Sequence, residues 1–327
     1  MTSETWPAKA SLETLEQRAQ LLKTIRQFFD TQKFIEVETP LLSRDTVIDQ
    51  YLDPIAVTLP NDPRHPQQGK NYWLQTSPEF CMKRLLASGA DAIYQICKAF
   101  RAGETGRLHN PEFTMVEWYR TGDDMHAGME LLSELADLTL KRGLAQKLTY
   151  QNAFLKYADV DPHEITGPQL MQRLIEMNID IPASITVEDH DGLLDLLLVE
   201  KVQPHLGTHC PVILYNYPAT QAALAQVRGT NPAVAQRFEL YVKGIELANG
   251  YCELLDPALL QERNQKTNQL RINDGKPPLP EASHLLEAMQ HGLPACAGVA
   301  LGLDRLAMLA IDKQSIDEVL AFPIDRA

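Results

Sequence analysis

The sequence predicts an α+β protein: an antiparallel β-sheet flanked by helices, with a helical insertion. Three stretches predict it. Residues 100–119, F-R-A-G-E-T-G-R-L-H-N-P-E-F-T-M-V-E-W-Y, read as a strand end, a polar loop and a second strand. Turn signals stand at Ala102-Gly103, Gly106 and Asn110-Pro111. Residues 150–210 read as helices broken at Pro162, Gly167, Pro182, Gly192, Pro204 and Gly207. A second group of strands follows between Pro211 and Leu254.

The elements follow in chain order. Ser11 caps a helix to about Asp30, with Leu12, Leu15, Ala19, Leu22, Ile25 and Phe28 at helical spacing. F-I-E-V-E-T-P, residues 34–40, alternates like a strand and stops at Pro40. Residues 60–71 read as a surface loop and Tyr72–Thr76 as a short strand. Ser77-Pro78-Glu79 has the hydroxyl, proline and acid of a helix start, and the helix runs to about Ser88. Ile93–Phe100 leads into the hairpin. Residues 124–142 form a helix with Met125, Met129, Leu132, Leu135 and Leu138 as its buried stripe. Pro211–Tyr217 and Phe238–Leu247 are strands, and Ala248-Asn249-Gly250 reads as a turn before Tyr251–Leu254. Asp256-Pro257 starts a polar helix to about Ile272. Gly275–Pro280 is a loop, and a helix follows to about His291. In C-A-G-V-A-L-G-L-D-R-L, residues 296–306, small residues permit close backbone approach and a helix starts near Leu303. Ser315 and Glu318 form a capping box for a last short helix.

The chain has 327 residues and a formal net charge of −13, which argues against a surface built for nonspecific nucleic-acid binding. No run reaches the length of a membrane helix, and the first ten residues lack the pattern of a signal peptide, so a cytoplasmic location is expected. The five cysteines are scattered, with no C-x-x-C pair. His205, His209 and Cys210 lie close in sequence but read more simply as polar loop residues before a strand. The common phosphate-loop, dinucleotide, nucleophile-elbow and H-E-x-x-H motifs are absent from the sequence.

Alternation in the second hairpin strand puts Phe113, Met115, Glu117 and Tyr119 on one face. That face offers an aromatic ring, a carboxylate and a phenol, with Arg101 and Arg107 on the loop. The set suits a ligand with a flat ring, phosphates and a positive charge; an ordinary hairpin with Glu117 in a salt bridge would read the same way. Glu246 and Glu253 flank the expected turn. Two such carboxylates can hold Mg²⁺ on phosphate oxygens, or be plain exposed acids. Arg305 falls in the first turn of its helix, where a cation opposes the dipole, which marks it as a functional candidate.

Together these pieces resemble the catalytic core of class II aminoacyl-tRNA synthetases, the lysyl branch in particular. F-I-E-V-E-T-P resembles motif 1, F-R-A-G-E…H-N-P-E-F motif 2 and G-V-A-L-G-L-D-R motif 3. S-P-E, E-W-Y and E-L-A-N-G-Y-C-E match lysyl-branch positions between them. The resemblance covers nearly the whole chain and implies a single catalytic domain, residues 1–327, with the insertion at about 150–210. It implies ATP and Mg²⁺. Arg101 would hold the α-phosphate, and Phe113 would stack under adenine with Arg305 above it. Gly103, Glu104, Asn110, Leu247 and Gly302 would border the nucleotide. Glu246 and Glu253 would hold the metal. Ser77, Pro78, Glu79, Glu117, Tyr119, Asn249, Glu253 and Ala300 would line an amino-acid pocket whose acids and phenol suit an amine-bearing side chain. Motif 1, with Pro40, implies a homodimer.

Three departures refine this. Only about ten residues precede the first helix, which predicts an enzyme without the anticodon-binding barrel and, with the acidic charge, disfavours tRNA as acceptor. Ala300 stands where the lysyl branch usually has glycine. Motif 2 reads Arg101-Ala102-Gly103-Glu104, one residue longer than usual before the glutamate. A free-standing lysyl-type core with that alanine implies (R)-β-lysine as the activated acid and a lysine of elongation factor P as acceptor. Three alternatives stay open at this point: a lysyl-type enzyme that charges an RNA with α-lysine, a catalytically silent regulatory paralogue, and an ammonia-dependent asparagine synthetase.

Overall fold

The computed structural model describes residues 6–281 and 283–327. Residues 1–5 of the stretch read for leader features, and Ala282 ahead of the helix expected to His291, lie outside that range. The chain groups into two compact units, one up to Gly122 together with Leu254 onward, the other Asp123–Glu253. The architecture is α+β, as the sequence predicts.

The first unit opens with α1 (Leu12–Thr31), whose cap Ser11 accepts the Thr14 N–H at 3.2 Å. The alternation over residues 34–40 yields only a short strand, β1 (Ile35–Glu36), parallel to Ile93 and Tyr94. The Val37 N–H still reaches the Tyr94 carbonyl at 2.8 Å, and the Thr39 hydroxyl then donates to the Gln95 side chain at 3.0 Å. β2 (Leu42–Ser43), β3 (Ile55–Pro60) and β4 (Gly69–Leu74) make a small antiparallel sheet in the order β2-β4-β3. Strands thus enter the expected 60–71 loop from both ends. The hairpin closes at Pro60↔Gly69, where a Cβ on Gly69 would stand 1.9 Å from the Leu59 carbonyl oxygen, so only glycine fits. Then come α2 (Glu79–Ala87), β5 (Ala92–Phe100) and β6 (Glu112–Thr121). The β5–β6 pairing runs without a break from Ala92↔Arg120 to Phe100↔Glu112.

Parity divides this hairpin. Tyr94 and Trp118, a cross-strand pair, face α1, where Phe29 stacks on Tyr94 at 4.4 Å and lies 5.2 Å from Trp118. Phe29, Tyr94 and Trp118 are fully buried, so α1 closes this face with aromatic contacts. The other face, with Phe113, Met115, Glu117 and Tyr119, is left to the site.

The second unit begins with α3 (Met125–Leu140), capped by Asp124 on the Ala127 N–H. Its stripe is buried from Met125 to Leu135, but Leu138 in the last turn is exposed, so the expected stripe stops one turn early. Next are β7 (Gln146–Thr149), α4 (Tyr150–Ala158), α5 (Gly167–Glu176) and α6 (His190–Leu197), continued by π and 3-10 turns to His205. Leucines 170, 174, 193 and 197 pack with Tyr150 and Phe154 in a core of their own. β8 (Val212–Pro218), β9 (Val227–Arg228), β10 (Val234–Val242) and β11 (Ile245–Cys252) complete the unit, in the order β11-β10-β8-β7 with β9 also on β10.

One expectation is corrected here. Ala248-Asn249-Gly250 is no turn; β11 runs straight through it. The turn is Lys243-Gly244, with φ of +52° and +71°, the double positive φ of a two-residue hairpin.

The chain returns to the first unit with α7 (Pro257–Asn273), α8 (His284–Gly292), β12 (Cys296–Gly302) and α9 (Leu303–Ala310). β12 pairs antiparallel with β6, giving the order β1-β5-β6-β12. The Ser315–Glu318 capping box holds a final 3-10 turn. Among the described residues, no helix is long and apolar enough to cross a membrane.

Candidate active site

In the first unit the candidate residues stand on the free face of β6. Glu117 is central. On one side it pairs with Gln95 of β5, on the other with Ala300 of β12. Directly opposed residues share a face, so the Ala300 methyl lies beside the Glu117 side chain. Both carboxylate oxygens accept hydroxyls: Tyr119 donates at 2.6 Å and Ser77 at 2.7 Å. Pro78 is the boundary residue of α2, and Ser77 before it accepts the Glu79 N–H at 3.1 Å while its hydroxyl hydrogen goes to Glu117. Glu117 is 1% exposed. Burial first, and then the charge of Glu79, push its carboxyl up to about 7, against the pull of the two hydroxyls and of Lys83. Burial and then the Glu117 charge likewise push the neighbouring Cys97 thiol up to about 12, which leaves it unreactive.

Further along β6 the face becomes aromatic and cationic. The Arg101 guanidinium lies over the Phe113 ring, 4.9 Å from its centre, and pairs with Glu104 at 3.6 Å. Its Nε is buried with no hydrogen-bond partner. The loop is anchored at both ends of this arginine: Arg101 N–H reaches the Pro111 carbonyl and Ala102 N–H the Asp53 carbonyl. Asn110 is committed to the backbone, donating to the Glu112 carbonyl and accepting the Ile324 N–H. Gly103 takes φ of +78°, a left-handed turn that suits glycine. Gly302 faces Met115 at the end of β12 and caps α9.

Arg305 stands in the first turn of α9, as its position predicts. Its Nε donates to the Leu108 carbonyl at 3.1 Å, and its terminal nitrogen lies 2.7 Å from His109 Nε2. Partial burial, and then the Arg305 charge, hold His109 below its ordinary value, so the ring stays neutral and accepts from the arginine. Asp304 offsets that cation at the helix start, pairing with Arg18 at 2.6 Å and accepting the Thr114 N–H at 2.8 Å.

The second unit positions its candidates with a bulge. Tyr241 pairs with Glu246 and Leu240 with Ala248, so Leu247 is the extra residue. Glu239 opposes Asn249 and Arg237 opposes Tyr251. Partners share a face, so Glu246, Asn249 and Tyr251 lie on one side, and alternation carries Glu253 to that side too. The spacing from 246 to 253 is odd; without the bulge the two glutamates would face apart. Asn249 donates to the Tyr251 hydroxyl at 3.1 Å and keeps a buried, unpartnered Oδ1. Glu253 is buried and Glu246 half-buried. Two carboxylates on one face fit Mg²⁺, which takes only one or two protein acids and completes its shell with phosphate and water. Among the described residues there is no cluster of three or more metal-ligating side chains.

Sequence reasoning missed Lys83, Gln95 and His109. Lys83 follows Glu79 by four residues, a visible helical pairing, and Gln95 has the parity of the site face. His109 had no such signal beyond its place in the loop.

A hairpin bearing an arginine and a phenylalanine, a small-residue strand leading into an arginine-headed helix, and buried acids between them define a class II synthetase catalytic unit. The profile of the family described as tRNA synthetases class II (D, K and N) matches residues 6–326, and the chain belongs to that family. It is 44% identical over 323 residues to a protein of Salmonella arizonae named elongation factor P–(R)-β-lysine ligase, covering 99% of this chain and 98% of that one.

Proposed function

We propose that this protein activates (R)-β-lysine with ATP and passes the β-lysyl group to the ε-amine of a lysine on elongation factor P. Kinship with a ligase so named, over almost the full length of both chains, supports the substrates. The observation that carries the amine specificity is the buried Glu117, its two oxygens held by Ser77 and Tyr119. An ammonium fits that carboxylate. The aspartate or asparagine members of the family would need a cation there instead.

In this reading, Arg101 leaves the Phe113 ring for the α-phosphate and adenine takes its place, with Arg305 on the far side of the base and near the γ-phosphate. Gly103, Glu104, Asn110, Leu247 and Gly302 border the nucleotide. Glu246 and Glu253 would hold Mg²⁺, which supplies charge neutralisation on the phosphates. Ser77, Pro78, Glu79, Tyr119, Asn249, Glu253 and Ala300 surround the amino acid. The substrate carboxylate is already ionised at pH 7, so no general base is needed for its attack on the α-phosphorus. The bond to the β-phosphate breaks, and pyrophosphate leaves. The acceptor amine then attacks the acyl carbon, loses a proton and displaces AMP. Catalysis is alignment plus charge stabilisation by the two arginines. The net charge of −13 supports a protein rather than a tRNA acceptor, and motif 1 supports a homodimer.

Two results follow from the pocket. The free Glu117 carboxyl sits at about 7, and a bound ammonium favours its charged form, so binding expels a proton. Roughly half a proton should be released per amino acid at pH 7, and affinity should rise as pH climbs through 7 and then level. Calorimetry in buffers of different ionisation enthalpy reads this; proton uptake would contradict it. Second, Ala300→Gly removes the methyl beside Glu117 and should shift preference towards α-lysine by about tenfold, the scale of one methyl in a fitted pocket. An unchanged ratio of α- to β-lysine exchange would sink that role.

The function as a whole is tested by labelled transfer. Radiolabelled (R)-β-lysine, ATP and purified elongation factor P should give one labelled lysine on the factor. Label on bulk tRNA, with none on the factor, would reverse the assignment.

A further inference from the structure

The pocket floor holds a third charge. Lys83 lies one helical turn after Glu79 on α2, so both side chains leave the same face. Its ammonium donates to Glu79 Oε1 at 2.5 Å and lies 5.9 Å from the centre of the Tyr119 ring. Lys83 is 2% exposed and Glu79 8%. Charges buried this deeply persist only when matched. With Glu117 ionised, as a bound ammonium makes it, Glu79, Lys83 and Glu117 together carry a net charge of −1.

We propose that Lys83 is a built-in counter-ion that neutralises Glu79, so that the pocket admits a substrate side chain with one ammonium and holds it on Glu117. The proposal rests on reading this cluster as the amino-acid pocket. Lys83 acts through the acids and is a positioning residue. Glu117 accepts two hydroxyls yet keeps lone pairs for an ammonium, since each carboxylate oxygen has more than one. A neutral side chain would leave Glu117 protonated and form no ion pair, and an acidic one would add a like charge. The other groups facing Glu117 from the flanking strands, Gln95 and Ala300, are neutral, and the Cys97 thiol stays protonated.

Charge balance makes a suppressor prediction. Glu79→Gln leaves Lys83 and Glu117 to cancel, and the KM for the amino acid should rise about tenfold or more, with the KM for ATP little changed. Adding Lys83→Met to that variant restores the net −1 and should lower the KM about threefold or more below that of Glu79→Gln alone. The double variant Glu79→Met with Lys83→Met should recover likewise, because a buried ion pair replaced by apolar residues is often tolerated. ATP–pyrophosphate exchange gives the constants, and near-UV circular dichroism shows that each variant is folded. Double variants no better than Glu79→Gln alone would show that Glu79 itself holds the substrate amine, and would overturn the proposal. Wild-type protein that exchanges with no amino acid would remove the pocket reading itself, and the proposal with it.

Discussion

Replacing Arg305 with alanine should lower ATP–pyrophosphate exchange about a thousandfold, the loss typical of removing a preorganised charge from a transition state. Helix propensity gives no reason for arginine at this position. A cation in the first turn of α9 opposes the helix dipole, and Asp304 beside it, tied to Arg18 and the Thr114 N–H, offsets that cost. The Arg305 side chain is aimed by the hairpin loop instead, through the Leu108 carbonyl and the neutral His109. Both contacts lie on a partly exposed loop, so Arg305→Ala should melt within a few degrees of wild type while losing catalysis. Lysine should rescue poorly, because the planar fork and its stacking surface are lost. Exchange within about tenfold of wild type in the alanine variant would take Arg305 out of the nucleotide site.

The second large effect is at Glu117. Glu117→Gln should raise the KM for the amino acid by about a hundredfold or more and leave the KM for ATP nearly unchanged. The isosteric amide has no charge for an ammonium. Stability should move the other way. The folded protein keeps Glu117 protonated up to about 7, where an unfolded glutamate has already ionised, so stability falls as pH rises from the ordinary glutamate value towards 7. Above pH 7 the native protein carries that cost in full, and the amide removes it. Thermal melts at pH 8 should therefore show the variant equal to or more stable than wild type. A variant both inactive and strongly destabilised would mean Glu117 is a structural ion-pair partner.

The site face of β6 was legible because it depends on local alternation: Phe113, Met115, Glu117 and Tyr119 needed only a strand under them. The caps at Ser11, Asp256 and Ser315 were legible for the same reason, each being a contact within a few residues. What failed depended on distant partners. Asn249-Gly250 is a strong turn signal, yet continuous pairing with Phe238 and Glu239 holds it in strand, and the weaker Lys243-Gly244 makes the turn. The Leu247 bulge that puts Glu246 and Glu253 on one side has no local signature. The motif resemblance named the same residues, but the geometry around them, above all the Lys83–Glu79 pair, had to be seen.

The central claim is that the Glu117 pocket activates a β-amino acid. ATP–pyrophosphate exchange with α-lysine, both enantiomers of β-lysine, aspartate and asparagine tests it most directly. The account predicts strongest exchange with (R)-β-lysine, weaker exchange with α-lysine and none with aspartate or asparagine. Exchange strongest with α-lysine would contradict the β-lysine assignment and favour an RNA acceptor, and exchange driven by aspartate would contradict the pocket chemistry altogether.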